Sequence, residues 1–461
     1  GNYNPLTVSG TIPGADQVNT ITITSVSGNA SNVVIGGNSS SSYTTALTLN
    51  GVSHLIFKDV TIGMNSTLIG TAVELKGMCE DVLFEDCNIQ AYTSATSSNY
   101  CGVRYYNGSG ATNTLRNVRF IGNTIDGGYA SIYFYYPAGN SGNMSSSGMS
   151  VTIENNIMSN SYYYGIYSYY FARYEKISNN TITSRTSGSV TSNWYGMYLY
   201  YYHNVEEIVG NRIQSTNTSI TQPYGIYVYR YFNYTSYSGN GFGLIANNEV
   251  ILYTTSNISG IHLYYTYSNV QLLHNSVYMY GSGNAYALYV YNGSSSYQPV
   301  IKNNNLVCAG GTSSYPIYYN GNYNTSYYTV DYNNYYSGGS YIAYAGGAIT
   351  SLAALQSATG QDVNSTNIDP VYATTPTDLI PTTASSLLCP VLTAVPNDIM
   401  GMPRIASINN MGCYAKTFSY DAALTALISP EERVLGGINT SVLVKLTNYG
   451  STTLTGVTIG W

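Results

Sequence analysis

Ile153-Glu-Asn-Asn156-Ile-Met158, Gly165-Ile-Tyr-Ser-Tyr-Tyr170 and Ile177-Ser-Asn-Asn180-Thr-Ile182 follow one another closely, and reading them as one period of a repeat decides the fold. The first and third share a pattern: an apolar residue, two variable positions, Asn, one variable position, and a second apolar residue. The same pattern places an Asn at Asn123, Asn156, Asn180, Asn211, Asn248, Asn275, Asn304 and Asn333, and two degenerate copies carry Val60 and Cys87 there. The middle motif returns as Gly196-Met-Tyr-Leu-Tyr-Tyr201, Gly225-Ile-Tyr-Val-Tyr-Arg230 and Gly260-Ile-His-Leu-Tyr-Tyr265, with looser versions from Thr45 to Gly321. From Leu47 to Ile317 there are nine steps in 270 residues, a mean of 30, with single steps of 26 to 35.

Strict alternation in Ile-Tyr-Val-Tyr describes a strand with one buried face. Short strands divided by Gly, Asn and Ser turns, with no amphipathic helix between them, leave no place for βαβ units. A coil of about 30 residues carrying three short strands predicts an all-β right-handed parallel β-helix. About ten coils at ~4.8 Å give a rod of roughly 48 Å. Stacked at one turn, the Asn amides could bond to the next copy and satisfy a buried corner.

This divides the chain into a β-helix over 1–345, a capping helix and Pro/Thr/Ser-rich exit segment over 346–416, and a third segment over 417–461. The helix is expected over Ala348–Ala358, with Thr350 as N-cap, covering the open end of the last coil. In the third segment, Leu424, Val442, Val444, Leu446, Leu454, Val457 and Ile459 alternate with polar residues around an Asn448-Tyr-Gly450 turn. These read as the first strands of a β-sandwich that has not closed by Trp461, so the chain is expected to be a fragment of something longer.

Charged residues are 8% of the 461, and the net charge is −6. No basic run could hold a phosphate backbone, so nucleic acid is not an expected partner. No apolar stretch approaches the ~20 residues of a membrane span. Of 53 tyrosines, 46 lie between Tyr100 and Tyr344. If the Ile of each Gly-Ile-Tyr strand points inward, the next residue points out. One outward column is then Tyr133, Tyr167, Tyr198, Tyr227, His262, Tyr289 and Tyr318. A second, two residues on, is Tyr135, Tyr169, Tyr200, Tyr229, Tyr264 and Tyr291. Two compatible readings stand: rings that stack to stabilise a solenoid, and rings that form a face for a glycan, a cell surface or a second copy of the protein.

An enzyme is the rival class. Glycosidic hydrolysis needs two flanking carboxylates, and Glu74 is the single acidic residue at these outward positions. A polysaccharide lyase needs a base and a cation for an acidic glycan, and Glu74, Lys76 and Arg104 fall on adjacent coils beside Tyr106. The bland reading of that trio is a surface ion pair. The four histidines, His54, His203, His262 and His274, are not at ligand spacing and are expected in surface or turn roles, without a metal. The Gly pairs are turns and not phosphate loops, so no cofactor is expected. Cys389 with Cys413, and Cys79 with Cys101, are candidate disulfides.

Three stretches resemble one family. Ile12-Pro-Gly-Ala-Asp-Gln-Val-Asn-Thr-Ile-Thr-Ile-Thr-Ser-Val-Ser-Gly28 is similar to the opening coil of right-handed β-helix regions in large cell-surface proteins of the Bacteroidetes. Ser351 to Ser365, followed by Asp369-Pro370, resembles their helical cap and exit. Asp421-Ala-Ala-Leu-Thr-Ala and Leu446-Thr-Asn-Tyr-Gly-Ser-Thr-Thr-Leu454 resemble their adhesion-type immunoglobulin-like modules. The resemblance implies type IX export, an extracellular bacterial surface, and a role as adhesin or filament, with self-association among the expected contacts. It does not account for the tyrosine load.

Overall fold

A computed structural model describes residues 1–41, 44–144, 148–231, 243–266, 269–291, 298–321, 325–372, 377–405, 409–415, 422–429, 441–448 and 453–458. Phe418, Asp421, Tyr449, Gly450, Ile459 and Trp461 lie outside the described residues. The chain forms two compact units, Gly1–Tyr414 and Ala415–Trp461.

The first unit is all-β and parallel β-helix-like. Its strands come mostly in threes, and up to Ala345 they pair in parallel with the strand one coil away. Thr124–Asp126, Ala130–Tyr135 and Val151–Glu154 make one set; Ile157–Ser161, Tyr164–Tyr169 and Ala172–Ser178 make the next. Thr124 lies against Ile157, Tyr133 against Tyr167, and Phe120 against Ile153. The first face of the rod is a sheet of 12 strands. The second and third faces are ladders joined through one long strand, Asn193–Val209, which belongs to both.

Register explains the core. On the third face Phe57, Phe84 and Phe120 stack at 5.3 and 5.2 Å, and Ile153, Ile177 and Ile208 continue the column. On the second face Ile132, Ile166, Met197, Ile226, Ile261, Leu288 and Ile317 are all fully buried. Like sits above like because parallel pairing repeats the same inward position every coil.

The corner between the third and first faces carries the asparagines. All eight are buried. Each carboxamide NH2 donates to the Oδ1 of the next asparagine at 2.9–3.0 Å, from Asn123 through to Asn333. The same NH2 also donates to a backbone carbonyl of the preceding coil, as from Asn180 to Ile153. Each Oδ1 further accepts the backbone N–H of the preceding asparagine, as Asn180 does from Asn156. The series begins at the Cys87 N–H, which donates to Asn123. It ends where Asn333 N–H donates to the Ser365 hydroxyl, which in turn donates to Asp362. The residue before each asparagine turns the chain with positive φ: Gly122, Asn155, Asn179, Gly210, Asn247, His274, Asn303 and Tyr332. Gly and Asn dominate that position because they enter the left-handed region at least cost.

The cap differs in detail from expectation. The helix is Leu352–Thr359, and Ser351 rather than Thr350 is its N-cap, accepting the Ala354 N–H at 3.2 Å. Ala348–Ile349, expected to be helical, instead pairs antiparallel with Ala343–Ala345 and closes the edge of the second face. The exit segment packs back on the first face. Buried Arg404 donates to the Asn247 and Asn409 side chains and to the Gly412 carbonyl, while Glu249 accepts from Leu379 N–H and the Tyr414 hydroxyl. Burial, the leading cause, raises Glu249 above the usual carboxylate range even though both donors pull the other way.

The second unit contains strands Ala422–Ser429 and Leu443–Asn448, paired antiparallel. Among the described residues no helix is long and apolar enough to cross a membrane.

The candidate disulfides are not formed. All six cysteines are free and buried. Cys413 packs with Ile251, Tyr278 and Leu379, whereas Cys389 packs with Leu387 and Met411 and takes up the Asn409 carboxamide. Burial raises the thiols, Cys79 among them and Cys101 to about 12. Denaturation without reductant should therefore expose six alkylatable thiols by mass spectrometry, and fewer would restore a bridge. For the corner, Asn180→Ala removes the acceptor of two Asn156 donors and should cost about 3 kcal/mol in a urea melt. Asn179→Gly should change stability by no more than about 1 kcal/mol, because it keeps the turn.

Candidate binding face

The second face brings the tyrosines together. In the first column the ring centroids run Tyr133–Tyr167 4.5 Å, Tyr167–Tyr198 5.7 Å, Tyr198–Tyr227 5.0 Å, Tyr227–His262 4.4 Å, His262–Tyr289 4.2 Å and Tyr289–Tyr318 5.3 Å. The second runs Tyr135–Tyr169 5.0 Å, Tyr169–Tyr200 5.8 Å, Tyr200–Tyr229 4.7 Å, Tyr229–Tyr264 5.4 Å and Tyr264–Tyr291 4.9 Å. Successive rings are within 22° of parallel in both columns. Stacking along the rod covers the ring faces and leaves edges and hydroxyls as the parts that can meet solvent; Tyr167, expected to point outward, is itself buried at 9% exposure. Those edges carry the positive part of the ring quadrupole.

Sequence reasoning missed several members. Tyr344 extends the first column and Tyr106, 63% exposed, begins the second. A flanking column contains Tyr163, Tyr195 and Tyr224. Beyond the second column a turn carries Tyr136, Tyr170, Tyr201, Arg230 and Tyr265, with φ of 52, 57, 65, 58 and 56°. Bulky side chains rarely adopt that conformation. Here it sets each ring edge-on to its column neighbour: Tyr169–Tyr170 at 4.6 Å, Tyr200–Tyr201 at 4.4 Å and Tyr264–Tyr265 at 4.7 Å. The signal was present as Tyr-Tyr pairs that break the period of two.

Burial disfavours the phenolate at several positions of this face. It raises Tyr133, Tyr167, Tyr198, Tyr227 and Tyr289, and it pushes Tyr129 and Tyr200 to about 12. The columns are therefore rows of neutral O–H groups, each both donor and acceptor.

Glu74, Lys76 and Arg104 also meet, at one end of the columns. Arg104 pairs in register with Glu74 on one side and Tyr133 on the other. Glu74, 8% exposed, is held by Arg104 Nη2 at 2.6 Å and Lys76 Nζ at 3.1 Å. Burial would raise its carboxyl, but the hydrogen bonds and charges of Arg104 and Lys76 hold it below the usual range. A carboxylate so held is a poor proton acceptor.

The histidines do not gather. His54 pairs with Asp81 at 3.0 Å. His203 and His274, expected at the surface or in turns, are fully buried, His203 against the Ser168 hydroxyl and His274 at a turn against the Gly412 carbonyl. Among the described residues no group of three His, Cys, Asp or Glu is placed to hold a metal ion. Neither a protein-family model nor a curated protein matches this chain.

His262 occupies a rung otherwise filled by tyrosine, its ring covered by Tyr227 and Tyr289. Burial lowers it to about 3 from 6.5. A depressed pKa contributes stability that is full above pH 6.5 and is lost as pH falls toward 3. His262→Tyr removes that loss, so the variant should exceed the parent protein in thermal stability by about 2 kcal/mol at pH 5 and match it at pH 8.

Proposed function

We propose that this chain is a non-catalytic structural and adhesive module of a long extracellular surface protein or filament, and that its tyrosine face binds a glycan. In this reading the rod is right-handed with about ten coils, and the second unit opens an immunoglobulin-like sandwich. The setting is a bacterial cell surface reached by type IX export, as the sequence resemblance suggests. The observation that carries the reading is the pair of stacked ring columns. Their faces are already covered by one another, so they leave a stripe of apolar ring edges and regularly spaced neutral hydroxyls. A sugar chain offers the matching chemistry, alternating C–H patches with hydroxyls that both donate and accept. Rigid rings order little further on contact, which limits the entropic cost of binding.

The lyase alternative draws on the Glu74–Lys76–Arg104 cluster next to Tyr133. Against it stands the pairing of Glu74, whose carboxylate already serves both cations.

A glycan array followed by titration calorimetry tests the proposal. Tyr198→Ser with Tyr229→Ser should lower affinity for the bound glycan by about tenfold or more, from two lost aromatic contacts, while leaving the circular dichroism spectrum unchanged. Unaltered affinity in the double variant would remove the platform from the account. Unsaturated uronate products that vanish in Lys76→Ala would replace adhesion with lyase chemistry.

A further inference from the structure

On the tyrosine face Arg230 has no carboxylate partner among the described residues. Arg230 takes the turn position that tyrosine holds in neighbouring coils, at Tyr170, Tyr201 and Tyr265. Its guanidinium carbon lies 5.0 Å from the Tyr201 ring centre, 5.6 Å from Tyr202, 5.8 Å from Tyr229 and 5.9 Å from Tyr265. Nη1 donates to the Tyr202 hydroxyl at 2.8 Å. Nε is buried and has no hydrogen-bond partner among the described residues.

Four other arginines are matched differently through their Nη groups, although Nε is unpartnered in Arg104, Arg173 and Arg404 as well. Arg104 and Arg173 meet carboxylates, and buried Arg185 and Arg404 are ringed by backbone and amide oxygens. No carboxylate pairs with Arg230 among the described residues, and the sequence from Ile208 to Asn248 contains no Asp or Glu at all. Rings hold a cation in place without neutralising it. A planar guanidinium, fixed by stacking, is suited to bidentate recognition of a planar or tetrahedral oxyanion.

We propose that Arg230 anchors an anionic group, a carboxylate or sulfate ester, of a polysaccharide lying along the tyrosine columns. The inference rests on the glycan-platform reading and gives that platform its substrate class. Two further features favour an acidic polymer. The outward ring edges carry partial positive charge. At one end of the face, Lys76 and Arg104 share the single carboxylate of Glu74 and leave one net positive charge. Four register steps separate Arg104 from the strand of Arg230, through Tyr133, Tyr167 and Tyr198 to Tyr227. At ~4.8 Å each they set the two cationic points ~19 Å apart along the rod. A chain spanning them meets a cation at each end and neutral hydroxyls between.

Calorimetry with polygalacturonate and with its fully methyl-esterified, uncharged form tests the anchor. The parent protein should bind the acidic polymer more tightly, with an affinity that falls as salt rises. Arg230→Gln should weaken polygalacturonate binding about tenfold and flatten its salt dependence while leaving the ester within about twofold. Arg230→Lys, which keeps the charge and loses the fork, should fall between and guards against a folding defect in the glutamine variant. Arg230→Gln binding polygalacturonate as the parent does, or a parent that prefers the ester, overturns the anchor and leaves the platform standing. Tyr198→Ser with Tyr229→Ser should weaken both polymers; if it weakens neither, the platform itself fails.

Discussion

A buried carboxamide with every hydrogen-bonding group engaged fixes the rest of this molecule. Each corner asparagine accepts from the coil before it and donates to the coil after it, at 2.9–3.0 Å throughout. A slip of one residue would strand both donor and acceptor in an apolar interior, where each unmet group costs about 1–3 kcal/mol. Loops between strands vary in length, yet the corner resets the register every coil. Because register is restored there, Tyr133, Tyr167 and Tyr198 arrive one above another a full face away.

The tyrosine face follows from that alignment and from the low charge of the chain. Parallel in-register strands bring like residues together, which would be repulsive for a row of carboxylates or ammoniums. Phenols tolerate it: their rings stack, and an ordinary phenol is already neutral at pH 7. The exceptions sit at the margins. Glu74 ends the first column with Arg104 beside it, and Arg230 replaces a tyrosine at the turn among rings that accept a cation. His262, on a rung within the column, fits because burial keeps it neutral.

Much of this was legible in the sequence, for physical reasons. The Asn motif and the Gly-Ile-Tyr alternation report buried polar and buried apolar positions, which tolerate few residue types. The outward columns then follow from strand geometry alone. The turn tyrosines left only the Tyr-Tyr pairs as a trace; their conformation was not legible, because a positive φ at Tyr170 or Tyr201 is unfavourable in isolation and stands here only with ring packing on both sides. Nor was the path of the exit segment: its anchors, Tyr414 on Glu249 and Arg404 on Asn247, join residues more than 150 positions apart and leave no periodic trace. The misplaced N-cap has a smaller cause. Thr350 and Ser351 are adjacent hydroxyls of similar capping preference, and the antiparallel bridge at Ala348–Ile349 decides between them.

The asparagine series is also directional. Its amides all point the same way, from the Cys87 N–H at one end to the Ser365 hydroxyl at the other, so each interior coil presents the same acceptor to its predecessor and the same donor to its successor. Any coil is thus compatible with any neighbour of its kind. A gene duplication that copies one whole coil would lengthen the rod without recutting either terminus, whereas a short insertion inside the corner would break it. The length of such a rod, and with it the reach of whatever it carries, can drift by whole coils while its cross-section stays fixed.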